Sequence, residues 1–156
     1  MKIIITLILS TLLGSVTLYS QMAPIEWRCK LSKENINQGD EVELIFRVDL
    51  DDAWHLYSNI QDYILGPLPA VFEFEPHSSY KLLGEVTPIG VKTKYEPVFD
   101  IQVNYFENIA EFRQKVKVLS KNLVIKGFYE YQACNIVDDQ CTMGADNFEF
   151  KIQTIK

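Results

Sequence analysis

Apolar and polar residues alternate along most of the chain after residue 20. The alternation has a period of two in eight segments, over 27–31, 42–48, 71–75, 99–105, 112–119, 123–125, 128–134 and 148–155. Successive side chains of a β-strand point to opposite faces of a sheet, so this period predicts strands with one buried face. Turn-forming residues separate the segments, at 37–40, 66–69, 76–79, 120–122 and 144–147. Helical periodicity is weak throughout, and 108–112 is expected to make one helical turn at most.

Seven to nine short strands joined by turns predict an all-β domain. Strands with one buried face fit two packed sheets, so we expect an immunoglobulin-like antiparallel β-sandwich. A closed small barrel is the alternative architecture. The sequence contains no internal repeat and no linker, so residues 21–156 are predicted to form a single domain.

Residues 1–20 have the layout of a secretory signal peptide. Lys2 supplies a positive start, 3–13 are mostly apolar, and small residues follow at Gly14 and Ser15. The apolar run is shorter than the roughly 20 residues that a membrane span needs. We therefore expect cleavage near residue 20 and a mature chain without a membrane span, exported to a compartment where disulfides can form.

Composition and charge exclude several classes of function. With 15 basic and 21 acidic residues the net charge is -6, which disfavours nucleic acid and anionic membrane surfaces as partners. The sequence has no phosphate-binding glycine loop, no HExxH motif and no nucleophile elbow. His55 and His77 are far apart and have no ligand-spaced partner, so we predict neither a metal nor a cofactor.

Cys134 and Cys141 lie late in the chain, with six residues of a polar turn between them. If Cys134 ends one strand and Cys141 begins the next, a hairpin places them opposite each other at disulfide distance. The third cysteine, Cys29, alternates with Trp27 and Leu31 and is expected to face the core as a small apolar residue.

The pair by itself leaves two functions open. A structural staple is the commonest fate of two cysteines in an exported protein, and it would fit a non-catalytic binding or assembly module. A bridge near the surface of one hairpin also suits thiol–disulfide exchange, in which an incoming thiolate must reach one sulfur in line.

Several segments, in their order and spacing, resemble the N-terminal domain of the DsbD family of thiol:disulfide interchange proteins. They are AWHLYS at 53–58, GPLPA at 66–70, YEPVFD at 95–100, AEF at 110–112, and GFYEYQAC at 127–134 followed by Cys141. The resemblance extends from about residue 27 to residue 150, and its most specific parts are the WHLY stretch and the terminal cysteine pair.

This resemblance implies an immunoglobulin-like periplasmic module that passes electrons between thioredoxin-fold proteins. It implies that Cys141 forms the mixed disulfide with a partner and that Cys134 is the resolving thiol. It further implies an aromatic cap over the bridge, for which we predict 95–99 with Tyr95 and Phe99. His55 and Tyr57 are expected near the same site.

The chain also departs from the family pattern. The family hairpin is usually shorter between its cysteines and often has prolines after the second one, whereas Thr142, Met143 and Gly144 follow here. Full-length members of the family also have membrane-spanning and thioredoxin-like domains; we expect this chain to lack them and to depend on a separate electron donor.

Overall fold

The structure is a computed structural model that describes residues 25–153. Ten β-strands follow one another within these residues: β1 (Ile25–Leu31), β2 (Glu41–Leu50), β3 (Trp54–Tyr57), β4 (Val71–Phe74), β5 (Tyr80–Ile89), β6 (Lys92–Glu96), β7 (Ile101–Glu107), β8 (Ile109–Val118), β9 (Asn122–Asn135) and β10 (Cys141–Gln153). The predicted signal peptide lies outside the described residues.

The strands form two sheets in which every pairing is antiparallel. The first sheet has the order β1-β2-β8-β5, and the second has the order β10-β9-β3-β7-β6. The short strand β4 also pairs with β9. It lies on the same side of β9 as β3, and β3 pairs with the part of β9 that is nearer to Cys134. Two open sheets confirm the predicted all-β sandwich of immunoglobulin type and exclude the closed barrel.

Aromatic side chains fill the space between the sheets. Phe46 and Phe112 are completely buried on β2 and β8. The Trp27 ring stacks on Tyr129 with centroids 4.1 Å apart, and Phe72 lies 4.9 Å from Phe112. Burial of each such ring removes about 150–250 Å² from water, so these contacts dominate the packing of the sandwich.

Three strands, β3, β5 and β6, carry no clear alternation and were absent from the sequence prediction. In β5 the register shifts between Leu83 and Thr87, around Gly84 with φ of +73°. This irregularity breaks the period of two. In β6 the sequence KTKYE is almost wholly polar, because the strand lies at the edge of its sheet.

The segment 108–112 forms no helical turn, which is within the expected maximum of one: Asn108, with φ of +62°, makes the tight connection between β7 and β8. One local prediction was wrong. The segment 144–147 is not a turn but the middle of β10. A Cβ atom at Gly144 would lie 2.4 Å from the Tyr131 ring on the opposite strand, so the glycine makes room for the aromatic ring there.

The part of the chain that the structure describes holds no helix long and apolar enough to cross a membrane.

Candidate redox site

The site is built around a disulfide between Cys134 and Cys141. Cys141 is the first residue of β10 and lies directly opposite Cys134 on β9, with the two Cα atoms 4.0 Å apart. This confirms the predicted pairing on adjacent strands. Cys29 is free, as predicted, and packs at the margin of the core between the sheets.

A four-residue turn closes the hairpin beyond the bridge. The Asn135 amide donates to the Gln140 carbonyl at 2.8 Å, so 136–139 form the loop itself. The Asn135 and Asp138 side chains accept hydrogen bonds from the Val137 and Gln140 amides. The Ile136 amide donates to the Ala53 carbonyl at 2.8 Å, which ties the loop to the start of β3. The six residues between the cysteines are therefore an ordered turn.

The two ends of the bridge differ in access to solvent. Cys134 is only 5% exposed, in a small apolar cluster with Tyr57 and Val103 on the outer face of the second sheet. Cys141 is exposed at the end of its strand. An attacking thiolate from solvent therefore meets the sulfur of Cys141 first.

A cleft of about 520 Å³ surrounds the bridge. The structure brings all six residues singled out from the sequence to its walls: Cys134, Cys141, His55, Tyr57, Tyr95 and Phe99. They come from β3, β6, the β6–β7 connection, β9 and β10, and they are separated by up to 86 positions along the chain.

The β6–β7 connection presents its apolar side chains to the cleft. The Phe99 amide donates to the Glu96 carbonyl at 3.3 Å, which closes a tight turn. The Tyr95 hydroxyl donates to the Asp100 carboxylate across the base of this turn. Tyr95 and Phe99 are exposed, and Val98 is 82% exposed at the tip. The turn therefore lies at the wall of the cleft, and its role as a cap over the bridge stays a prediction.

We expect replacement of Tyr95 and Phe99 by Ala to speed alkylation of the reduced cysteines by a small reagent. Both side chains line the cleft that holds the sulfurs, so their removal opens the approach to them. The rate is measured with iodoacetamide on the reduced protein. The matched control is Leu119→Ala, which removes an exposed apolar side chain away from the cleft. Equal rates in the double variant and the wild type would contradict a protective cap.

His55 is the most perturbed titratable group of the cleft. It is 4% exposed, and its Nε2 atom lies 3.0 Å from the Tyr57 hydroxyl and 3.5 Å from Lys94 Nζ. Burial, together with the positive charge of Lys94, lowers the pKa of His55 to about 4, against a weaker opposing effect of Glu107. The imidazole is therefore neutral at physiological pH.

This low pKa predicts a loss of stability in mild acid. The folded pKa of His55 lies below the usual value of 6.5, so between about pH 6.5 and pH 4 the unfolded chain takes up a proton that the folded chain refuses. Stability falls as the pH falls through this window, by roughly 3 kcal/mol at most. The measurement compares urea unfolding of the wild type and His55→Phe at pH 7 and pH 4.5. Equal losses in the two proteins would rule out His55 as the cause.

Three polar residues of the cleft were missed from the sequence. Lys94 and Glu96 form an ion pair of 3.6 Å on β6, which the alternation did not reveal. Gln132 donates from Nε2 toward the Cys134 sulfur at 3.6 Å, and its Oε1 atom accepts a hydrogen bond from the Leu68 amide at 2.7 Å. Only Gln132 could have been found from the sequence, because a residue two positions before Cys134 on the same strand lies on the same face of the sheet.

The structure thus defines an immunoglobulin-like β-sandwich domain with a disulfide in an open cleft at the end of one hairpin. Solved structures with this fold include the N-terminal domain of Neisseria meningitidis DsbD in its reduced form, with 16% identity over 81% of this chain and 84% of that one, at a TM-score of 0.51. The resemblance to the DsbD N-terminal domain is confirmed at the level of the fold.

Two further structures have this fold at 12% identity and a TM-score of 0.54. One is the N-terminal periplasmic domain of ScsB from Proteus mirabilis, matched over 83% of this chain and 47% of that one, so that the chain spans about half its length. The other is the complex between the DsbD and PilB N-terminal domains of Neisseria meningitidis, matched over 85% and 87%. No protein-family model and no curated protein sequence matches the chain.

Proposed function

We propose that the chain is an exported thiol–disulfide exchange module of the periplasm. It relays electrons through Cys134 and Cys141 to or from thioredoxin-fold partners, and a separate protein serves as electron donor. The cysteine pair carries the reaction without a cofactor.

The observation that carries this proposal is the unequal burial of the two cysteines, with Cys134 buried and Cys141 exposed. A thiolate that attacks the exposed Cys141 sulfur in line breaks the bridge and forms a mixed disulfide there. The electron pair of the broken bond stays on Cys134, which is buried beside the cleft and remains close enough to attack the mixed disulfide in turn. This difference supports Cys141 as the cysteine that contacts a partner and Cys134 as the resolving cysteine, which is what the family resemblance implies.

The hairpin argues against a purely structural staple. Residues of β9 and β10 pair in unbroken register from Cys134 and Cys141 to Asn122 and Gln153. The strands are therefore held together by their own ladder, and the bridge only closes its last turn. A loop of this length contributes about 2.5 kcal/mol on the chain-entropy model.

The fold comparisons support both the partner class and the compartment. A DsbD N-terminal domain of this fold forms a complex with the PilB N-terminal domain, and the ScsB domain of this fold is periplasmic.

Trapping in the native host tests the proposal. Cys134→Ala leaves Cys141 unable to release a mixed disulfide, so thioredoxin-fold proteins should accumulate as adducts that a reductant releases. Cys141→Ala is the matched control and should capture far less, because the remaining sulfur is buried. A redox titration of the wild type should place the pair between about −120 and −270 mV. A potential below about −300 mV together with no adducts would favour the structural disulfide instead.

A further inference from the structure

One row of side chains crosses three adjacent strands at the bridge. Cys141 on β10 is paired with Cys134 on β9, and Cys134 is paired on its other side with His55 on β3. Directly opposed residues of antiparallel strands share a face, with Cβ atoms about 4.5–5.5 Å apart. The imidazole therefore lies next to the buried sulfur, on the side away from Cys141.

The neighbours of His55 favour one tautomer of the ring. An ammonium has donors and no acceptor, so Lys94, 3.5 Å from Nε2, favours the tautomer in which that nitrogen accepts. The Tyr57 hydroxyl, 3.0 Å from the same nitrogen, is free to donate to it. Since the ring is neutral, its single proton is then on Nδ1.

The Nδ1 atom is buried and has no hydrogen-bond partner among residues 25–153. Buried polar groups are almost always paired, so an unpaired one needs an explanation. A disulfide sulfur is a weak acceptor, whereas a thiolate is a strong one. A strong hydrogen-bond acceptor for this donor therefore becomes available when the bridge opens.

We propose that His55 donates a hydrogen bond from Nδ1–H to the Cys134 sulfur once the bridge is broken, and so stabilises the thiolate that leaves when a partner attacks Cys141. The role in exchange rests on the proposed function. In that step a bond forms between the partner sulfur and Cys141, and the bond between Cys141 and Cys134 breaks. The partner thiolate supplies the electron pair, the partner sulfur is oxidised, and Cys134 is reduced to a thiolate that later takes its proton from solvent. His55 keeps its own proton throughout.

Other charged and titratable groups also face this corner of the cleft. They are Tyr57 on β3, Lys94, Tyr95 and Glu96 on β6, Tyr105 and Glu107 on β7, and Asp139 in the hairpin loop. Lys94 pairs with Glu96, and Glu107 pairs with Lys92, so their charges are largely compensated. Gln132 already donates from Nε2 toward the Cys134 sulfur at 3.6 Å, and the proposed bond from His55 is a second one to the same sulfur.

The first test is the pH profile of Cys134 alkylation in a Cys141→Ser background. Loss of the donor in His55→Phe should raise the midpoint by about one pH unit, a tenfold loss of thiolate at neutral pH. His55→Asn has a side-chain amide near the position of Nδ1–H and should recover most of this loss. An unchanged midpoint in His55→Phe, or equal midpoints in the Phe and Asn variants, would overturn the inference, because a packing role alone does not distinguish them.

The second test needs no variant and covers the case in which a substituted protein does not fold. Nitrogen-15 NMR of the wild-type ring should show the Nδ1–H tautomer in the oxidised protein and a shifted Nδ1–H resonance after reduction. The Nε2–H tautomer, or no shift on reduction, would contradict the inference. Both measurements are made without a partner, so they are independent of the trapping experiment. Failure to trap a partner disproves the exchange function, and an unmoved midpoint disproves the role of His55.

Discussion

Cys141→Ser is expected to abolish disulfide exchange with a thioredoxin-fold partner while the domain remains folded. The variant lacks the exposed sulfur, and the remaining one is 5% exposed on the floor of the cleft. The free energy of unfolding should fall by about 2.5 kcal/mol, because without the bridge the unfolded chain regains the conformational entropy of the short loop. Exchange is followed by the appearance of partner thiols, and stability by urea unfolding.

Cys29→Ala is the control for this experiment. The substitution removes a thiol that forms no bridge and lies outside the cleft, so exchange should continue at the wild-type rate. Loss of exchange in Cys29→Ala, or retained exchange in Cys141→Ser, would contradict the assignment of Cys141 as the sulfur that partners attack.

Phe112→Ala is expected to cost about 3–5 kcal/mol in the free energy of unfolding. Phe112 is completely buried on β8, with its ring 4.9 Å from Phe72 and 5.1 Å from Phe106 between the centroids. Alanine leaves a cavity at the centre of the sandwich, because the aromatic side chains packed between the two sheets cannot move in to fill it. Such a loss is a large part of the stability of a typical domain.

Phe99→Ala is the matched control, since it removes the same ring from the exposed turn beside the cleft. Its unfolding free energy should stay within about 0.5 kcal/mol of the wild type. Urea unfolding at pH 7 measures both variants. A similar loss in the two proteins would show that the turn is part of the folding core, against its exposed position in the structure.

The all-β sandwich was predictable because its signal is local. On β8 each buried residue is followed by one that is more exposed, and on β2 this alternation is interrupted only at Ile45, so the period of two appears in the sequence itself. The hairpin that joins Cys134 to Cys141 was predictable for the same reason, since six intervening residues allow only a tight turn. The prediction of a turn failed at Gly144. Glycine is common in turns, but here it lies within β10, where it makes room for the Tyr131 ring.

The sequence by itself determined most of the strands, the all-β class and the cysteine hairpin, because each depends on residues close together in the chain, whereas only the structure decided between two open sheets and a closed barrel. Tertiary structure decided what surrounds the bridge. Lys94 lies 40 residues before Cys134 and reaches the cleft only because β6 is added to the sheet through β7 and β3. Strand order likewise places His55 beside the sulfur and leaves its Nδ1 atom without a partner. The unequal burial of Cys134 and Cys141 also follows from this order, since β9 lies inside the sheet and β10 at its edge.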